Sequence, residues 1–116
     1  MDEDDARRSA LALPEVSERQ SWGRPAWFHR NLVARMWDDD RLTVRVEDDG
    51  ERLALVEQEP DLYSTTDHHA GTNLVLITLE AADDVTLRAH LAESWWWAAP
   101  PVLRRRYPQL GPTHDS

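Results

Sequence analysis

The sequence predicts an α+β fold of two layers, an antiparallel sheet with helices packed on one of its faces. Three features carry that expectation. Residues 41–46 alternate strictly between polar and apolar, and residues 32–37 answer them across an Asp38-Asp39-Asp40 bend. Leu74-Val75-Leu76-Ile77-Thr78-Leu79 is apolar on both faces, which suits a strand enclosed within a sheet. Helical periodicity runs over 4–13 and again from Asp83 or Asp84 to about Trp96.

Taken in order, the first helix places Ala6, Ala10 and Leu13 on one side. Its acidic start suits the helix dipole, and Pro14 stops it. Residues 15–21 are polar and read as a connector leading to a first short strand. Strands follow at 25–29 and 32–37, with Arg30-Asn31 as a tight turn because Asn tolerates positive φ. Across the aspartate bend, a three-residue loop sets Met36 opposite Leu42, Ala34 opposite Val44 and Leu32 opposite Val46. Trp37 then faces Arg41, Arg35 faces Thr43, and Val33 faces Arg45. This single register gathers the aliphatic pairs on one face and the arginine-bearing pairs on the other.

Asp48-Asp49-Gly50 reads as a turn, and 51–57 as a short helix with Leu53 and Val56 inward, ended by Pro60. Residues 61–65 form a strand entering the His68-His69 loop, where Gly71 allows a bend. In the last helix Asp83 or Asp84 is the cap, and Val85, Ala89, Ala92 and Trp96 form the inward stripe until Pro100-Pro101 terminates it. The domain is expected to span 1–103, with 104–116 as a flexible C-terminal tail. With the helices on one side, the arginine-bearing sheet face is expected to be open.

A chain of 116 residues fits one domain with its own core. The absence of cysteine excludes disulfides and thiolate zinc sites as staples. No apolar run approaches the roughly 20 residues of a membrane span, and the start Asp2-Glu3-Asp4-Asp5 is opposite in charge to a signal peptide. A cytoplasmic protein without membrane contact is the expectation. Net charge is −9 and all 13 basic residues are arginine. That acidic balance opposes the general phosphate attraction on which nucleic-acid affinity rests.

Three segments carry a likeness to a known family. Gly23-Arg24-Pro25-Ala26-Trp27 opens the first hairpin. His68 and Gly71 precede the apolar run from Leu74, and Trp95 precedes Ala99-Pro100. In that order and spacing the chain, over about 11–106, resembles the MmcQ/YjbR family of small bacterial α+β proteins. It departs from the pattern in its short Arg30-Asn31 turn and in having Asn73 where proline is frequent. The resemblance implies DNA binding through a double-wing arrangement of hairpins, and a loop-fixing hydrogen bond for His68.

Two candidate sites follow, both non-enzymatic. The first is a nucleic-acid face made by Arg24, Arg30, Arg35, Trp37, Arg41 and Arg45, with Phe28 joining if the first turn has two residues. Residues 19–46 hold six arginines against three aspartates, a local excess of positive charge. Rings interleaved with guanidinium groups suit stacking and phosphate pairing. The second is a cleft lined by Trp22, His68 and Trp95 that takes a protein segment or small ligand. The partners are accordingly DNA, a protein or a small ligand, and the chain is expected to be a monomer.

No metal or cofactor is expected. Asp38-Asp39-Asp40 lacks calcium-loop spacing, His68 and His69 point apart if the segment is extended, and His90 lies far away on a helix. No serine lies in an elbow motif and no glycine-rich phosphate loop occurs, so the expectation is a protein without enzymatic activity. Arg104-Arg105-Arg106 is a basic run on the tail, and Trp95-Trp96-Trp97 cannot all face one side of a helix.

Overall fold

The aspartate bend sets the register of the two strands that it joins. In the computed structural model, which describes residues 1–112, β3 (Leu32–Met36) pairs with β4 (Arg41–Arg45) as Met36 with Leu42, Arg35 with Thr43 and Ala34 with Val44. These are the predicted partners. Asp38 shapes the bend, its carboxylate accepting the amide hydrogens of Asp40 and Arg41 at 3.0 and 2.8 Å.

Around that pair are β1 (Ser17–Ser21), β2 (Arg24–Phe28), β5 (Tyr63–Ser64) and β6 (Leu74–Thr78). The sheet has six strands in the order β1-β2-β3-β4-β6-β5, every neighbouring pair antiparallel. The apolar strand β6 is enclosed, as its sequence predicts. Residues 17–21 are a strand and not only a connector. As an outer strand exposed along most of its length, β1 has no apolar alternation to announce it.

Among the described residues four α-helices complete the fold: α1 (Glu3–Leu11), α2 (Asp49–Gln58), α3 (Asp84–Ala98) and α4 (Pro101–Arg106). Asp2, Asp48 and Asp83 cap the first three, each accepting a backbone N–H three residues on. Trp27, Ala34, Met36, Leu42, Val44, Val75 and Ile77 form the core, with Ala6 and Ala10 of α1 and Leu87, Leu91 and Trp95 of α3. The protein is thus an α+β domain with α1 and α3 packed on one side of an antiparallel sheet.

Several predicted faces are rotated. In α3 the buried stripe is Leu87, Leu91, Ser94, Trp95 and Ala98. Val85 is 70 % exposed and Ala89 is exposed, because the leucines bury more apolar surface than the alternative stripe. In α2, Leu53 is half exposed and Arg52 is buried instead. The Arg52 guanidinium is held twice by Asp49, at 2.9 and 2.7 Å, and also donates to Thr65, which fixes the helix rotation.

The tail expected from residue 104 differs too. Arg104, Arg105 and Arg106 lie in α4, and a 3-10 turn follows at Pro108–Leu110. Leu103 is fully buried, Tyr107 meets Trp95 edge-on, and Arg106 pairs with Glu15 at 2.7 Å. Residues 113–116 of the predicted tail lie outside the described residues.

The arginine-bearing face is not open throughout. Ala26, Thr43 and Leu76 along one row across it are all buried. A 3-10 turn at Asp67–His69 brings two histidine rings against Trp37 on that side.

Candidate functional site

β1 and β2 are joined by two residues, Trp22 and Gly23, between the paired Ser21 and Arg24. Both have positive φ, +54° and +77°. That is a type I′ turn, whose twist matches the strands it joins. Gly23 meets the requirement freely, whereas Trp22 holds a conformation that costs a bulky side chain on the order of 1–2 kcal/mol. The residue is 91 % exposed. A large apolar side chain is thus held in a strained backbone and in water, both of which lower stability.

Trp22, Arg35, Trp37 and His68 line an open groove of about 420 Å³, within the range of small-ligand sites (about 300–1,000 Å³). Arg35 comes from β3, with its guanidinium carbon 5.8 Å from the Trp37 ring centre. Its Nε donates to the Ser21 carbonyl at 3.1 Å, tying β3 to the base of the Trp22 turn. His68 lies 5.7 Å from Trp37, ring centre to ring centre, at a tilt of 35°.

His69 supports this wall from behind. It is 2 % exposed, bonds Thr66 through Nδ1 at 2.8 Å and meets Trp37 edge-on at 4.7 Å. Burial holds its pKa below the usual histidine value, and the charges of His68, Arg52 and Arg35 add to this. The loop-fixing role implied for His68 therefore belongs to His69, while His68 faces the groove. The two rings do not diverge as an extended strand would make them, because the segment is a 3-10 turn, and they lie 5.3 Å apart.

The structure thus brings two residues from each predicted set together in one groove. Arg35 and Trp37 come from the nucleic-acid set, and Trp22 and His68 from the cleft set. The remainder are elsewhere. Trp95 is fully buried in the core, its Nε1 donating to the Pro14 carbonyl at 2.8 Å, so it lines no cleft. Arg24 pairs with Asp39 at 2.9 Å and Arg41 with Asp38 at 2.7 Å. Arg45 turns back to the Leu32 carbonyl at 2.8 Å and is half-buried. Arg30 is exposed on the loop after β2, where Phe28 pairs with Leu32, leaving three residues instead of two. Phe28 itself takes Arg19 over its ring at 3.9 Å.

The loop after β2 is organised by His29. Its Nδ1 accepts the amide hydrogens of Arg30 and Asn31 at 2.6 and 3.1 Å, so its Nε2 donates to the Trp95 carbonyl at 3.0 Å. Burial lowers the His29 pKa. Sequence reading missed this role. It also missed a larger cavity of about 590 Å³ among Glu47, Asp48, Glu51, Glu93, Trp96 and Trp97. Three of those carboxylates serve nearby groups: Asp48 accepts the Glu51 N–H, Glu51 the Glu47 N–H, and Glu93 the Trp97 indole N–H. Among the described residues no three of His, Cys, Asp or Glu gather around a common point.

A family model described as YjbR matches residues 11–97. Uncharacterized proteins of Mycobacterium bovis (Mb2600) and Mycobacterium tuberculosis H37Rv (Rv2570) are each 38 % identical to the chain, covering 79 % of it and 84 % of their own length. Among solved structures, the crystal structure of Deinococcus radiodurans protein DR2400, with a DUF419 domain, superposes with a TM-score of 0.71. It covers 90 % of this chain and 86 % of that one, at 19 % identity, a likeness of fold.

Proposed function

The chain belongs to the YjbR family, and from its geometry we propose that it is a binding module without catalytic chemistry, recognising a flat ligand in the Trp22–Arg35–Trp37–His68 groove. One observation carries this reading: Trp22 is 91 % exposed on a turn of positive φ. Strain and exposed apolar surface both lower stability, and backbone outliers of this kind gather at binding sites. The groove holds rings and a cation but no serine, threonine or cysteine nucleophile.

The duplex-DNA platform implied by the family resemblance has less beneath it. Arg24 and Arg41 are neutralised by acids of the 38–40 bend, and Arg45 is directed to a backbone carbonyl. Groove-entering hairpins need cations at their tips, and this tip presents three aspartates.

The neutral aromatic dye N-phenyl-1-naphthylamine tests the site. The dye should bind once per chain, quench tryptophan emission, and lose at least tenfold in affinity in Trp22→Ala. An exposed side chain can be removed without loss of the fold, so dye binding unchanged in that variant would overturn the reading.

A further inference from the structure

Resting on that groove, we infer that its ligand is a flat aromatic anion of the nucleotide class, an unpaired base carrying a phosphate. The base would stack against Trp22 and Trp37 beside His68, and the phosphate would meet Arg35. The groove itself favours a planar group, because Trp22, Trp37 and His68 provide three aromatic walls and Arg35 a planar cation.

The charge follows from what each arginine does. Among the described residues, seven of the thirteen are held in ion pairs with carboxylates. Arg35 is not. Its Nε is used by the Ser21 carbonyl, and among the described residues neither terminal nitrogen has a hydrogen-bond partner. Two acids of the bend that follows β3 are taken by other arginines, Asp38 by Arg41 and Asp39 by Arg24. An uncompensated guanidinium between aromatic walls, in a protein of net charge −9, is a local complement for an anion. Beside it on the same face, Thr43 pairs across the sheet with Arg35, is 4 % exposed, and its hydroxyl has no partner among the described residues.

Stacking tolerates any base, since every base has a π-face, and phosphate pairing is likewise indifferent to sequence. The same chemistry is offered by a free mononucleotide and by a nucleotide splayed from a single strand. Adenosine, adenosine 5′-monophosphate and a four-residue oligodeoxyadenylate therefore form the test, titrated by tryptophan fluorescence against the wild type, Arg35→Gln, Arg35→Lys and Trp22→Ala.

The monophosphate should bind at least tenfold more tightly than adenosine. Arg35→Gln should reduce that preference to about twofold, Arg35→Lys should restore part of it, and Trp22→Ala should weaken both ligands about tenfold. If the oligonucleotide binds more tightly than the monophosphate, with affinity falling steeply as salt rises, the strand is the source. Equal affinities make the free nucleotide the source. Adenosine and its monophosphate binding equally, or a preference that survives Arg35→Gln, overturns the anion assignment. If neither adenosine ligand binds while N-phenyl-1-naphthylamine does, this inference fails and the groove reading stands.

Discussion

The hydroxyl of Ser94 on α3 accepts the backbone N–H of Arg45 at 2.8 Å and donates to the backbone carbonyl of Val33. Val33 and Arg45 are the pair that regular continuation of the β3–β4 ladder would join directly, but the paired residues stop at Ala34 and Val44. A helix side chain thus closes the last rung, and Ser94 is fully buried there. Ser94→Ala would leave one donor and one acceptor unsatisfied, at a cost of about 1–3 kcal/mol each. Urea unfolding should show a total loss of at least about 2 kcal/mol, and a loss below about 0.5 kcal/mol would contradict the bridge.

Trp22 should be dispensable for stability. Asparagine tolerates the +54° φ that tryptophan holds under strain. Trp22→Asn should therefore raise the unfolding free energy by about 1 kcal/mol while weakening dye binding in the groove at least tenfold. Destabilisation together with retained binding would reverse the assignment of this residue.

Arg52 and Asp49 should not contribute symmetrically. Arg52 is 4 % exposed, whereas the Asp49 side chain is 46 % exposed. Asp49→Ala strands a buried cation, and Arg52→Met replaces that cation with an apolar chain of similar length. Thermal unfolding should rank Asp49→Ala as the worse of the two, by about 1 kcal/mol or more.

Acid should weaken the fold in two separate windows. Burial holds His29, His69 and His90 below their usual value of 6.5. The unfolded chain therefore binds protons first. Stability is fully present above 6.5 and is lost as pH falls from there through the folded values. Glu15, Glu18, Asp38 and Asp83 are also lowered, by hydrogen bonds to their partners, and their contribution disappears only in the carboxylate range. Denaturation between about pH 8 and about pH 5 isolates the histidines. His29→Asn should flatten that profile, and an unchanged slope would remove His29 from the account.

The sheet was legible where one face is apolar and one polar. The alternation in 41–46 sets the β3–β4 register, and the double-sided apolarity of β6 marks it as interior. Strand β1 was not, since Ser-Glu-Arg-Gln-Ser at a sheet edge is polar throughout and buries no apolar face, so no alternation marks it. The α1 face was read correctly, Ala6 and Ala10 being buried, whereas in α3 Val85 and Ala89 gave way to Leu87 and Leu91, and in α2 Leu53 gave way to Arg52.

All four groove residues stand out in the sequence, but as members of two separate proposals. Uniting them required the 3-10 turn at His68 and the reach of Arg35 to Ser21, contacts across 14 residues and more that no local pattern encodes. The Trp22-Gly23 pair is the signal that could have shown more. A residue followed by glycine between two strands announces a two-residue hairpin and hence positive φ at both positions.

A two-residue link leaves no slack. Lengthening the Trp22–Gly23 connection by a single residue would change its turn type and re-aim the indole away from Trp37. The six-stranded scaffold would survive such an insertion, because β1 is its outermost member. A change of one residue in that link would therefore separate the shape of the groove from the stability of the sheet that carries it.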